Sequence, residues 1–412
     1  MLAMPLTVAA AQHHELARVT SPPRDSLSAM LTALSTTVSP ALAGRARTEF
    51  RLTQPMLALR GARAGGALQY SAMLNAERLT MPDGEAVAGI WGEGFIDRRH
   101  PHTVVHEIMV SGTRRRGSVV ASLAAGRGFV PFGTDDPMVR PFTKYPANHH
   151  LSQVMERIQL SAAARVGERA SLEIATFNGD EPSDPTSAPQ WDRFGDSRAA
   201  RVTVWPRPTL ELQASAASVR SPEFIRPDGL DHAKFSVSAR VTLHRRAMQY
   251  ALLEWARTDE RYNGRHIITY GSGLAETLLR TGGWSMALRA EQTTRPEDER
   301  LLNLFRAARP PNHLVIQGMT QWRIASAQLA RDLNVVDGMQ ASLFTELARA
   351  QSRPLLRPVL LDPRDVIGAN GAWHLTVGLR VGVGLMSTRA GRYGAAAGPA
   401  SSSAELTMQH AH

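Results

Sequence analysis

Between Trp373 and Leu385 the chain reads W-H-L-T-V-G-L-R-V-G-V-G-L, with an apolar side chain at every odd position and a polar residue or glycine at every even one. A period of two is the mark of a β-strand with one apolar face. The segment is also longer than the soluble-protein strand of about 5 to 6 residues, and long enough for a tilted strand of about 9 to 11 residues to cross a bilayer.

The pattern recurs. Phe235, Val237, Ala239, Val241 and Leu243 alternate with Lys234, Ser236, Ser238, Arg240, Thr242 and His244. Leu68, Tyr70, Ala72, Leu74 and Ala76 oppose Gln69, Ser71, Asn75 and Glu77, with Met73 the one apolar residue on the polar side. Trp284, Met286, Leu288 and Ala290 oppose Ser285, Arg289 and Glu291, and Leu210, Leu212, Ala214 and Ala216 oppose Glu211, Gln213 and Ser215. A soluble β-sandwich shows similar alternation. Its strands are short, however, whereas the long polar faces here suit a wet lumen.

The expected fold is therefore all-β, a single transmembrane antiparallel β-barrel of about 14 to 16 strands. Mean hydropathy is −0.22 and no run of 18 apolar residues occurs, so membrane-spanning helices are excluded. A barrel escapes that test because only alternate residues meet lipid. There is no cysteine, which removes disulfides and thiolate chemistry. Of 47 basic residues only Lys144 and Lys234 are lysine, and the net charge is +10. The arginines are scattered, with no basic tail or recognition helix, so nucleic acid is not an expected partner. Lipid and phosphorylated glycolipid of an outer membrane are the expected counter-charge, and small solutes the expected cargo.

Residues 1–12 resemble the end of a truncated signal peptide, and residues 13–45 read as a flexible arm with a short helix near Ser26–Leu34. The barrel is expected over 46–390 and a disordered tail over 391–412. Candidate strands fall at 46–60, 66–79, 102–113, 117–127, 150–165, 169–178, 198–206, 208–219, 233–245, 247–258, 265–278, 283–294, 313–327, 338–351 and 371–387. Tight joins near 114–116, 167–168, 245–246 and 281–282 contrast with long joins at 80–101, 128–149, 179–197, 220–232, 295–312 and 352–370, as expected for short turns at one rim and long loops at the other. Several of Trp91, Trp191, Trp205, Trp255, Trp284, Trp322 and Trp373 fall at strand ends, where an interfacial girdle would place them.

The densest motif is G-F-I-D-R-R-H-P-H-T-V-V-H-E, Gly94–Glu107. With F-N-G-D-E-P (177–182), W-D-R-F (191–194) and S-P-E (221–223) it resembles a family of bacterial porin-like outer-membrane proteins carrying a D-R-x-H-P-H signature. The resemblance covers about 90 to 390 and implies a barrel without an assigned substrate, with a hint of copper handling in some members. G-R-G-F-V-P-F-G (126–133) is similar to the strand-to-loop segment of several porins.

On an extended chain His100 and His102 would lie about 6 to 7 Å apart on one side, a spacing that suits two ligands of one transition metal. His106 would lie about 13 Å from His102 on a regular strand, and Glu107 would point the other way. With no third ligand fixed, Asp97, Arg98, His100 and His102 are expected to form a structural loop latch, with His100 and His102 the weaker metal candidates; His149 and His150 join only if loops meet. Ser111, His106 and Glu107 lie too close along one strand to form a hydrolytic triad. No Walker, dinucleotide or H-E-x-x-H pattern occurs, so no enzyme activity and no cofactor are expected.

The lumen-facing candidates are Arg240, Arg289, Arg380, Glu211 and Glu291. The expected function is a passive channel for small solutes with a weak anion preference, against the alternatives of a lipid-modifying outer-membrane enzyme, a metal-associated barrel and a soluble all-β binding protein. Val377→Arg is expected to cost about 2 to 4 kcal/mol on the lipid face, and Thr376→Arg little.

Overall fold

The computed structural model describes residues 25–85, 102–134, 138, 140–147, 156–182, 184–224, 226–243, 248–297, 318–336, 338–355, 362–384 and 391–397. They form one closed antiparallel sheet of sixteen strands: β1 (Ser26–Ser39), β2 (Arg47–Arg63), β3 (Leu68–Asn75), β4 (Val105–Arg116), β5 (Val119–Gly128), β6 (Arg157–Val166), β7 (Ala170–Phe177), β8 (Ser197–Arg207), β9 (Leu210–Val219), β10 (Asp231–Thr242), β11 (Met248–Tyr262), β12 (Arg265–Thr281), β13 (Trp284–Glu297), β14 (Gly318–Val336), β15 (Met339–Pro354) and β16 (Gly371–Val383). Each strand pairs with its sequence neighbour, and β1 pairs with β16 to close the wall. Closure leaves no sheet edge, the condition for a sheet to sit in lipid.

All fifteen strand segments read from the sequence correspond to β2–β16. The sixteenth, β1, lies where the arm and short helix were expected. That expectation is corrected: residues 26–39 belong to the wall, in register from Ala29↔Val383 to Ser39↔Trp373. The alternation is blurred in β1 because Met30, Leu34 and Val38 face inward with Ser28, Thr32 and Thr36. Leu34 and Val38 pack there on Ala330, Phe344 and Ala372. Met73, the exception in β3, has a similar cause: it packs with Met56, Ala58, Met138 and Tyr145 inside the barrel.

The wall is inside out relative to a soluble domain. Along β16, Trp373, Leu375 and Val377 are 49%, 47% and 45% exposed, while His374 and Thr376 between them are 3% and 4% exposed. The outward apolar face continues around the barrel through Leu212, Val237, Leu253, Leu288, Leu329 and Leu343. An outward apolar face of that extent is matched by hydrocarbon.

At the short-turn rim Arg331 stacks on Trp284, and at the opposite rim Arg349 stacks on Trp373, each with 5.2 Å from guanidinium carbon to ring centroid. These pairs place an amphipathic ring and a cation where water, headgroup and acyl chain meet. Trp255 also faces outward, whereas Trp205 and Trp322 turn into the lumen and donate to Glu211 and Glu297. Trp191 sits exposed in a loop and Trp91 lies outside the described residues.

Short connections after β2, β4, β6, β8, β10, β12 and β14 gather at one rim, together with the start of β1 and the end of β16. Long connections gather at the other, apart from the shorter connection 40–46 between β1 and β2 and the two-residue turn 263–264 between β11 and β12.

Candidate functional site

The lumen is built from polar strand faces and from a loop that enters it. Leaving β5 at Gly128, the chain turns inward. Gly126, at φ +143°, allows the close approach, because a β-carbon there would clash with the Ile108 carbonyl oxygen. Phe129, Val130, Phe132, Phe142 and Tyr145 are buried inside the barrel.

The loop is fastened to the opposite wall by charges. Glu346 on β15 accepts from the Thr143 amide (2.9 Å), the Thr143 hydroxyl (3.1 Å), the Lys144 amide (3.3 Å) and Gln328 Nε2 (3.1 Å). Arg289 donates to the Lys144 carbonyl (2.8 Å) and to Glu276 (2.7 Å), with its guanidinium 4.3 Å from the Phe142 ring centroid. Glu291 accepts from the Ala147 amide (3.2 Å) and Arg295 donates to its carbonyl (2.8 Å). Arg380 donates to the Pro141 carbonyl (3.1 Å), and Arg140 of the loop reaches Glu254 of β11 (3.1 Å).

A second inward segment follows β16. Residues 391–397, expected as part of a disordered tail, lie against the lumen side of β4–β7, with Arg392 reaching β8 and β9, and correct that expectation for those residues. Arg392 donates to Glu211 (3.0 Å) and Gln213 (2.8 Å), and the Tyr393 hydroxyl donates to Glu107 (2.9 Å) and accepts from the Phe129 amide (3.1 Å). The Gly391 carbonyl accepts from Arg201, itself clamped to Glu173 through two bonds of 2.6 Å. A cavity of about 300 Å³ remains beside this segment, bounded by Arg60, Gln69, Ser71, Glu107 and Ser111.

The five residues singled out from alternation, Arg240, Arg289, Arg380, Glu211 and Glu291, all face the lumen. Four brace the two inward segments, and Arg240 stacks 4.4 Å over the Tyr250 ring. Parity marks them as inward but carries no information about what enters the lumen to meet them. Glu346 sits at the same parity and holds more of the loop than any of the five, a role invisible without the partner.

Asp97, Arg98, His100, His149 and His150 lie outside the described residues. His102 is buried, and its Nδ1 lies 2.9 Å from Glu77. The spacing expected of His106 is corrected: the strand starts only at Val105, and the His102 and His106 rings meet edge to face at 5.5 Å. The orientation expected of Glu107 is corrected too. A register shift, Met73↔Glu107 followed by Leu74↔Val105, bulges His106 out of the ladder, so His106 and Glu107 both turn inward. His106 Nδ1 then meets Glu156 at 2.6 Å. Burial alone would push the Glu156 carboxyl up, but the His106 hydrogen bond and nearby positive charge outweigh it and hold the group at about 2. His106 thus engages Glu156 and Glu107 engages Tyr393, separate from Ser111.

Among solved structures, the anion-selective porin from Comamonas acidovorans matches over 87% of this chain and 99% of its own, at 13% identity and a TM-score of 0.52. OprB from Pseudomonas putida matches over 90% and 96%, at 10% identity and a TM-score of 0.51. The chain has the porin fold. No protein-family model and no curated protein sequence matches it, so the D-R-x-H-P-H segment has no family assigned through these comparisons. At such identities the likeness concerns the path of the chain.

Proposed function

We propose that the protein is a bacterial outer-membrane channel that passes small solutes by diffusion with a weak preference for anions. The observation that carries this reading is the inside-out wall enclosing a charged lumen narrowed by a loop. Outward arginines near the long-loop rim, Arg198, Arg257, Arg323, Arg349 and Arg353, suit the phosphates of an outer-leaflet glycolipid. Cations on and around the inner loop, Arg140, Lys144, Arg289, Arg295 and Arg380, are interleaved with Glu254, Glu276, Glu291 and Glu346, which is why the preference is weak rather than strong. Purified barrel in a planar bilayer is expected to give ohmic steps and a small reversal potential of anion sign in a salt gradient. A folded barrel that inserts without conducting would overturn the reading.

The preference is expected to depend on pH through Lys144. Burial pulls its ammonium from the ordinary 10.5 down to about 8, with Glu85, Glu291 and Glu346 holding it from falling further. A lowered lysine pKa means the unfolded chain binds more protons than the folded one between about 8 and 10.5, so raising pH through that window favours the fold. The same deprotonation removes a positive charge from the narrow part of the lumen. Anion preference should therefore fall between pH 7 and pH 9 in the parent and fall less in Lys144→Gln, where Lys234 still titrates; an equal fall in both would assign the titration elsewhere.

A further inference from the structure

The β9–β10 loop brings a third carboxylate-or-imidazole donor to a cross-strand pair at the long-loop rim. His232 on β10 stands directly opposite Glu260 on β11, both turned inward and buried. Glu223 of the loop joins them, so that one donor atom from each of the three lies within 4.8 Å of the other two. We infer that Glu223, His232 and Glu260 form a binding site for a divalent transition-metal ion of the zinc type.

Three features support it. His232 Nε2 and Glu260 Oε1 are 3.5 Å apart. That is long for a hydrogen bond, and close to the edge of about 3.4 Å that bonds of about 2.1 Å give around a tetrahedral ion. One imidazole and two carboxylates are a donor set that zinc accepts, with the fourth position left for water or a solute on the lumen side. Glu223 is also delivered by a fixed loop. Arg193 donates to the Phe224 carbonyl (2.8 Å) and the Ser221 carbonyl (3.3 Å), the Ser221 hydroxyl holds Arg226 and Gly229, and the Glu181 amide donates to Pro222. An ion there would tie the β9–β10 loop to the wall at the entrance. The nearby cation works against it: Lys234, two residues along β10, interacts electrostatically with Glu223 and Glu260. The ion and the ammonium therefore compete for the same carboxylates.

The test is a Zn²⁺ titration of barrel refolded in detergent without glycolipid, stripped with chelator, and read by competition with a chromophoric zinc indicator. One equivalent should bind, about tenfold or more weakly in His232→Ala and in Glu223→Gln, and more tightly in Lys234→Met. Glu223→Gln lies in a loop, so it tests the site without touching the ladder, and heat-modifiable gel migration verifies that each variant is folded. His102→Ala, at the other buried histidine cluster, should bind as the parent does. Folded parent that binds no zinc, unchanged binding in both His232→Ala and Glu223→Gln, or loss of binding in His102→Ala would each overturn the assignment.

Discussion

Val377→Arg should destabilise the barrel by about 2 to 4 kcal/mol, while Val383→Arg on the same face of the same strand should cost about 1 kcal/mol or less. Val377 is the central residue of β16 and faces outward, whereas Val383 is the last residue of the strand, at the short-turn rim. The difference arises because a guanidinium at mid-depth must stay in hydrocarbon or drag water to itself, whereas at the rim it reaches headgroups and water. Denaturant unfolding in lipid vesicles, followed by tryptophan fluorescence, measures both. Equal costs would mean that lipid does not cover this face. The inward neighbour Thr376 is not the inexpensive control that alternation suggests. It is 4% exposed and bonded to Thr36 across the seam (2.7 Å), so arginine there meets a packed interior and its cost would not separate lipid from lumen.

Glu346→Ala should release the inner loop. The carboxylate accepts four hydrogen bonds, two of them from loop amides. Deleting it leaves those donors buried in a narrowed lumen, at about 3 to 5 kcal/mol of loop-docking energy. The wall itself loses nothing from its ladder, so the fold should persist while single-channel conductance rises and becomes noisier. Glu346→Gln, which keeps one accepting oxygen, should lie between. Conductance equal to the parent's in both variants would show that this loop does not set the narrow part of the path.

Much of the wall was legible because lipid favours apolar residues on the outward face at membrane depth, and Trp373 to Leu385 and Phe235 to Leu243 follow that rule without error. The rule is silent about inward residues, which answer to whatever fills the lumen. Where that filling is apolar, as beside Leu34, Val38 and Phe344, apolar residues mix with Ser28, Thr32 and Thr36 on the inward face, and in β1 the outward face also carries Ser35 and Thr37, so the period of two is lost there. Parity marked Arg289 and Glu291 as inward, but their partners Lys144 and Ala147 are more than a hundred residues away and carry no local signal. The bulge at His106 is a further case. A single extra residue reverses the parity of what precedes it, and only the register against β3 reveals it.

The segment 391–397 has a consequence for how the wall closes. β1 and β16 meet through pairs such as Thr36 and Thr376, 340 residues apart, so the seam carries the largest loop-closure entropy of any strand pairing in the wall. Residues 391–397 begin eight positions after β16 ends, yet they pack on β4–β7 and reach β9 through Arg392, across the interior from the seam. Arg392 on Glu211 thus fastens the chain that leaves β16 to the wall opposite the seam, so the same segment fills part of the lumen and links the closing strand to the far side of the barrel.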